Sequence, residues 1–361
     1  MLGTPQDRHD GLDHRSLEVL RIVVREHVRS GEPVSSRQAA KYHPEHLSPA
    51  TIRSIMADLT DQGYLEQPHT SAGRVPSDKG YRSIVDEVLA DRPGIAPDEA
   101  RQIEDILLSS RQVEDLLSRA GKLLGRMSNQ VAVLITPDVE TTVVEYVDFV
   151  RVAPLRVVAI FVGRGGVVLH RVVELDEDLT QDELDRTGQR VREAFGGLTL
   201  PEGRLRLMAS LREDQLWADR IGRGAVGAVL RLLEAPFPVE SGELIVEGAS
   251  RLFDMPEFTD VQRLRDMMRT IEEKSRLLRL LDRCLAAPGV QVIIGSEAHD
   301  PDMAPVAVVA SPYRAGDETQ GLVGILGPRR MEYARAVALV DRFARTISGM
   351  LTGGAPPRED A

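Results

Sequence analysis

The sequence predicts a chain of several α+β domains that begins with a winged helix-turn-helix. Capped helical segments followed by a loop rich in glycine and proline occupy the first 92 residues. Strand-like segments at 130–175 and 289–328 then bracket a mainly helical block, which is the pattern of one α+β domain that carries a helical insertion. The chain has 361 residues, of which 42% are hydrophobic, so it is long enough to bury more than one core.

The first helix is predicted over 13–30, where apolar residues recur at helical spacing and Gly31 follows as a stop. Ser35 and Gln38 have the spacing of a capping box, which opens a short second helix that ends near Tyr42. Ser36 and Arg37 lie in the first turn of this second helix, where we expect them to contact DNA.

The third helix carries the main functional signal. Ser48 is placed as its N-cap, Pro49 occupies the first helical position, and the helix is expected to reach about Gln62. Its apolar face consists of Ile52, Ile55, Met56 and Leu59. Outside that face lie short polar residues and an arginine, which suit the major groove: Thr51, Arg53 and Ser54. An ordinary solvated helix face is the alternative interpretation.

A loop limited by prolines follows over 68–76 and is interpreted as the wing. His69, Thr70 and Arg74 on this loop could contact the DNA backbone or the minor groove. A plain surface loop is the alternative.

The remaining elements are assigned from hydrophobic periodicity. A linker and one long connecting helix are predicted over 93–128, with the helix at about 97–127. Further helices are predicted at 181–195 and 213–234, and the tail 353–361 is expected to be disordered. A long helix over 260–284 carries an apolar stripe that could form either core or a dimer interface: Leu264, Met268, Ile271, Leu278 and Leu281.

The charge is unevenly distributed along the chain. The net charge is −11, yet residues 15–82 contain ten Lys or Arg against eight Asp or Glu. The acidic excess therefore lies mostly outside the predicted DNA-binding segment. An acidic body weakens non-specific attraction to DNA, so binding should depend on specific contacts and on two copies per site.

Several classes of site lack support in the sequence. Cys284 is the single cysteine, which excludes an intramolecular disulfide and a zinc site of several thiolates. His43 and His46 have suitable spacing for a metal but no further ligand, and no catalytic motif is found. The N-terminus is polar, and no apolar stretch approaches the ~20 residues needed to span a bilayer. We expect a cytoplasmic protein without a cofactor, a metal, catalytic residues or a membrane partner.

Four stretches resemble the HrcA family of heat-inducible transcription repressors. They are PVSSRQAA at 33–40, the segment 47–86, LIVEGASRLFDMPEF at 244–258, and VQVIIGSE followed by GLVGILGPRRMEYARAV within 290–337. PHTSAGR beside ATIR and MADL is the most specific combination. The similar stretches span nearly the whole chain in family order.

The resemblance implies three domains. These are a winged helix at 1–92, a discontinuous GAF-like domain at 129–175 and 287–352, and an inserted dimerising domain at 176–286. This arrangement agrees with the strand-rich segments that bracket a helical block.

The resemblance also implies a homodimer that binds an inverted-repeat operator upstream of chaperone genes and represses them. The GroEL chaperonin is implied as the partner that keeps such a repressor active, and heat diverts it to unfolded clients. The family pattern carries over to Ser48, Thr51 and Arg53 in the recognition helix and to His69, Thr70 and Arg74 in the wing. Three positions depart from it: Ser35 for Gly, Ser54 for Asn and Arg329 for Thr. The Ser54 change could alter operator preference.

Two other functions stay open. A ligand-sensing regulator would bind a metabolite in the GAF-like domain, although no ligand-binding cluster is recognisable there. An enzyme on the α+β domain would need converging polar groups. Glu297, His299 and Asp300 in GSEAHDPD resemble part of a metal or acid–base site, but we interpret this segment as a polar loop between strands.

Overall fold

The computed structural model describes residues 12–69, 72–110, 112–137, 142–164, 168–175, 177–213, 242–254 and 261–352. The predicted disordered tail lies outside these residues. So does the helix predicted over 213–234, apart from its first residue, which ends a helix that the sequence did not predict.

In chain order the described helices are α1 (His14–Ser30), α2 (Ser36–Tyr42), α3 (Pro49–Asp61), α4 (Asp78–Asp91), α5 (Pro97–Leu108), α6 (Val113–Ser128), α7 (Gln181–Phe195), α8 (Leu200–Glu213), α9 (Val261–Glu272), α10 (Lys274–Leu285) and α11 (Tyr333–Leu351). The described strands are β1 (Leu65–Glu66), β2 (Val75–Pro76), β3 (Val131–Ile135), β4 (Val144–Ala153), β5 (Arg156–Gly163), β6 (Val168–Glu174), β7 (Leu244–Glu247), β8 (Gln291–Ile294), β9 (Val306–Ala315) and β10 (Glu318–Pro328).

Helices α1 to α4 and the hairpin β1–β2, named the winged helix here, have the element order that was predicted for such a fold. The caps are local and follow the sequence signals. Asp13 caps α1 by accepting from the Ser16 N–H at 2.7 Å, and Ser35 and Gln38 form the capping box of α2. Such a cap contributes about 1 kcal/mol to helix stability. The bounds of these helices therefore lie close to the predicted ones.

Two predicted long helices are wrong. The segment 97–127 forms α5 and α6, which are separated after Leu108, and the segment 260–284 forms α9 and α10, which are separated at Glu273. Serine competes for backbone hydrogen bonds, and Ser109 Oγ donates to the Ile106 carbonyl at the first break. Apolar spacing continues across both breaks, so periodicity alone did not reveal them.

A five-stranded antiparallel sheet forms the centre of the molecule, in the order β7-β3-β10-β9-β8. Alternate residues of each strand face opposite sides. On β3, Ala132 and Leu134 pack towards α6 and α11, whereas Val131 and Val133 pack towards α9 and α10. Helices therefore cover both faces of this sheet.

Strands β4, β5 and β6 form a second antiparallel sheet with a separate core. Buried residues of one face, among them Val147, Phe149 and Phe161, pack with Val191 and Phe195 of α7. The family resemblance places 129–175 in one GAF-like domain with 287–352. In the structure only β3 of that first segment joins the sheet made by β8, β9 and β10. Strand periodicity does not indicate which sheet a strand enters.

The winged helix packs directly on the central domain. Its apolar core continues through α5, α6 and α11 to one face of the five-stranded sheet. The rings of Tyr81 in α4 and Tyr333 in α11 meet at 5.9 Å between centroids. The orientation of the winged helix is thus set by contacts with the rest of the chain.

Candidate nucleic-acid interface

The free face of α3 carries the residues that were predicted to read DNA. Ile52, Met56 and Leu59 are buried in the winged-helix core. Thr51, Arg53 and Ser54 are exposed. Within the described chain, the guanidinium of Arg53 has no hydrogen bond or ion pair. This arginine is therefore available to an outside partner such as a guanine edge or a phosphate.

The N-terminus of α3 is held by Ser48. Its Oγ accepts from the Thr51 N–H at 3.1 Å and lies 2.9 Å from the Thr51 Oγ1. The remaining N–H groups of the first turn and the positive end of the helix dipole favour an anion there. Ser48 thus has a capping role in addition to its predicted contact with DNA.

The first turn of α2 carries Ser36 and Arg37. Ser36 is half-buried and Arg37 is exposed, and no hydrogen bond or ion pair involves the Arg37 side chain in the part of the chain that the structure describes. This geometry is compatible with the predicted contact between Arg37 and DNA.

The wing is built on a short hairpin that a third segment extends. Val34 and Arg74 exchange backbone hydrogen bonds of 2.8 and 2.9 Å. Beside them, a Cβ on Gly73 would lie only 2.4 Å from the Val34 carbonyl oxygen, so only glycine fits. His69 is exposed towards the tip, and Thr70 lies outside the described residues.

The side chain of Arg74 is engaged within the chain. Its Nε donates to Thr60 Oγ1 at 2.9 Å, and the Thr60 hydroxyl donates to the Met56 carbonyl at 2.7 Å. Arg74 therefore ties the wing to the last turn of α3. Its contact with DNA stays a prediction. No sequence signal indicates this contact, because Thr60 lies on a different element from Arg74.

An aromatic and basic surface at the end of α2 was not predicted from the sequence. The exposed ring of Tyr42 has the Arg25 guanidinium at 5.6 Å and the Arg29 guanidinium at 6.0 Å from its centroid. The buried Glu26 pairs with Arg29 at 2.6 Å, which reduces the local positive charge. The four-residue spacing of Arg25 and Arg29 places them on one side of α1 and can be seen in the sequence, whereas their approach to Tyr42 cannot.

A polar cluster fixes the winged helix to the central domain. The carboxylate of Asp78, in the first turn of α4, pairs with Arg329 at 2.6 Å and accepts from the Ser296 N–H at 2.9 Å. One turn further on, Arg82 binds the Glu297 carboxylate and donates to the Val292 carbonyl at 2.7 Å. Arg329, which departs from the family pattern, thus has a defined partner.

The predicted dimer stripe packs within its own chain. Ile271 is buried, and Leu264, Met268 and Leu278 are half-buried against the core below the five-stranded sheet. Leu281 is buried in the same core. A role of these residues in dimerisation stays a prediction.

Metal binding and membrane insertion have no support among the described residues. No group of three or more His, Cys, Asp or Glu there could hold a metal ion. No helix in the same ranges is long and apolar enough to cross a membrane. In the GSEAHDPD segment, Glu297 and Asp300 are engaged by arginines rather than by each other.

Comparison with known proteins extends these observations to nearly the whole chain. Residues 114–337 match a family described as the HrcA protein C terminal domain. The chain is 34% identical over 342 residues to a heat-inducible transcription repressor HrcA of Geobacter sulfurreducens, which covers 95% of this chain and 99% of the relative. It is 38% identical over 347 residues to a protein of the same description from Anaeromyxobacter sp. (strain K), covering 95% and 97%.

One solved structure shows a similar fold. It is described as that of a hypothetical protein, and the two structures superpose with a TM-score of 0.64 at 23% sequence identity. The similarity covers 95% of this chain and 99% of the other. The arrangement of winged helix and sheets thus has a counterpart along nearly its full length.

Proposed function

This chain belongs to the HrcA family of heat-inducible transcription repressors, and we propose that it represses transcription by binding an inverted-repeat operator in double-stranded DNA. The observation that supports this most directly is Arg53, which lies on the exposed face of a capped helix and whose guanidinium has no partner among the described residues. The operator is expected upstream of chaperone genes, as the family resemblance implies.

Some of the proposed contacts recognise bases, and the others position the protein on the DNA backbone. Arg53 can bind a guanine edge bidentately, which is worth about 1–3 kcal/mol of discrimination. Thr51 and Ser54 flank it on the same exposed surface. The N-terminal end of α3 and Arg37 are suited to phosphates, which fix the register of a protein on the duplex.

We propose that two copies bind together, because an inverted repeat matches a two-fold dimer. The supporting feature is the open face of the β4–β5–β6 sheet. Cross-strand partners Val150, Val158 and Val172 form one apolar row, and Tyr146, Val162 and Val168 form a second. None of these six residues belongs to a buried cluster of the described chain.

The sequence of β5 supports a covered position for this open face. Every residue from Val157 to Val162 is apolar, a pattern typical of strands that are buried on both sides. In the part of the chain that the structure describes, only the side with Val157, Ala159 and Phe161 is buried. A second copy against the other side would complete the burial. This surface is a second candidate dimer interface, beside the predicted stripe on α9 and α10.

We also propose the GroEL chaperonin as the partner that maintains the binding-competent form. The family resemblance is what supports this partner. Heat would then relieve repression because unfolded clients compete for the chaperonin.

Fluorescence anisotropy with the full-length chain tests the proposed function. Labelled inverted-repeat promoter DNA and a scrambled duplex are titrated at two salt concentrations, with and without chaperonin. The proposal predicts operator-selective binding that the chaperonin strengthens. Equal weak binding to both duplexes under all conditions would contradict it.

A further inference from the structure

A cavity of about 290 Å³ lies between α10 and the loop over residues 295–303, on the central domain. Its polar lining consists of Arg276, Arg279, Arg283, His299 and Asp300. The function proposed above does not use this cavity.

The cavity carries an excess of positive charge. Arg276, Arg279 and Arg283 are three and four positions apart on α10, so they share one side of the helix. The one carboxylate of the lining, on Asp300, pairs with Arg276. In the described ranges, neither the Arg279 guanidinium nor the His299 ring has a hydrogen bond or an ion pair. The lining that the structure describes thus holds three guanidinium groups and one carboxylate, and the Glu273 carboxylate lies 3.9 Å from Arg276 outside that lining.

Guanidinium groups pair bidentately with phosphate, and a phosphate group carries about −1.5 to −2 charges at neutral pH. The cavity volume lies just below the usual range for ligand pockets, about 300–1,000 Å³, which suits a small ligand. We propose that this cavity is an effector site for a small molecule that bears a phosphate group.

The loop of the cavity also holds the winged helix. The Glu297 carbonyl accepts from Arg283 at 2.8 Å, while its carboxylate is bound by Arg82 of α4. The adjacent Ser296 hydroxyl donates to Asp78 at 2.8 Å. A phosphate bound to Arg276 and Arg279 competes with Asp300, which displaces the loop and thereby changes how the winged helix is held. This mechanism goes beyond the repressor function proposed above.

Isothermal titration calorimetry on the full-length chain tests binding, with inorganic phosphate and glucose 6-phosphate as probes at constant ionic strength. The variant Arg279→Gln removes the unpaired guanidinium. Arg101→Gln, on an exposed position of α5, is the matched control. We expect binding to the unaltered chain and to the control, and at least tenfold weaker binding to Arg279→Gln.

Tighter binding of glucose 6-phosphate than of phosphate would identify a phosphorylated metabolite as the ligand, and equal binding would identify free phosphate. Absence of binding at millimolar probe, or equal binding to Arg279→Gln and the control, overturns the proposal.

The effector role is measured by operator anisotropy with and without the tighter probe, at matched ionic strength because salt alone weakens DNA binding. We expect at least a threefold change in operator Kd for the unaltered chain and none for Arg279→Gln. An identical change in both proteins overturns the effector role. Operator binding without any probe tests the repressor function separately.

Discussion

Asp78 and Arg329 are 251 positions apart in the sequence, and their Oδ1 and guanidinium nitrogen lie 2.6 Å apart. The pair joins the first turn after the wing to the loop that follows the longest strand of the central sheet. Burial alone would raise the pKa of Asp78, but hydrogen bonds from Ser296 and Arg329 outweigh that effect and lower it. The winged helix is thus held by a carboxylate that stays ionised at neutral pH.

Replacing this carboxylate, as Asp78→Asn, should lower the free energy of unfolding by about 1–2 kcal/mol, because Arg329 loses its charged partner in a half-buried site. Since the folded pKa is lowered, the contribution is full above the ordinary value of 3.8 and is lost as pH falls through the folded pKa. Urea unfolding should therefore show a constant difference from pH 5 to 8 that shrinks below about pH 4. Asp98→Asn, on a 97% exposed side chain, is the control and should be silent.

The variant Arg53→Ala removes the arginine that we propose recognises a base of the operator. It should weaken operator binding by about 1–3 kcal/mol, or roughly 5- to 150-fold. Binding to scrambled DNA should change much less, because a base contact carries the loss. Anisotropy titration measures both, with Arg101→Ala as the control. If the operator and the scrambled duplex weaken equally, Arg53 binds phosphate and does not read bases.

The hydrogen bond between Arg74 of the wing and Thr60 of α3 can be tested by changing Thr60. Thr60→Val removes the hydroxyl that accepts from Arg74 but keeps the branched shape. If Arg74 acts by positioning the wing, Thr60→Val and Arg74→Ala should each reduce operator affinity by a similar factor, about fivefold for a hydrogen bond of ~1 kcal/mol. If Thr60→Val leaves operator affinity unchanged while Arg74→Ala reduces it, Arg74 contacts DNA directly.

A charge on the open sheet face should prevent dimerisation. Val172→Lys places an ammonium on an exposed position of that face, where burial of an unpaired charge is costly. Sedimentation velocity should then detect monomers where the unaltered chain gives dimers. Leu205→Lys, on an exposed position of α8, is the matched control. Circular dichroism verifies folding, and an unchanged dimer in folded Val172→Lys would exclude this face.

The thiol of Cys284 should resist modification in the native protein. Burial raises its pKa to about 11, so little thiolate is present at pH 8. Reaction with an aromatic disulfide reagent should be slow in buffer and fast in denaturant, as followed by absorbance. Rapid native reaction would show that α10 opens readily. Free glutathione under identical conditions calibrates the reagent.

Much of the winged helix could be predicted because its signals are local. Ser35 and Ser48 each cap a helix through atoms three residues away, and Ile52 repeats with Met56 and Leu59 at helical spacing. The exposure of Arg53 follows from the same periodicity.

Features that depend on distant contacts could not be predicted in this way. The separation of α9 from α10 at Glu273 has no glycine or proline to mark it. The strands β3 and β4 are both rich in valine but enter different sheets. Two contacts depend on how whole helices and strands pack: Arg74 with Thr60, and Asp78 with Arg329. The sequence around each residue does not contain that information.

The apolar core that runs unbroken from α1 to the central sheet has a thermal consequence. Residues as separate as Val23, Leu124 and Phe343 belong to one buried cluster. Elements that share a core tend to melt in one cooperative transition. Warming that loosens the sheet or α11 therefore also removes the support beneath α3, so we expect the proposed DNA binding and the global fold to be lost over the same range of temperature.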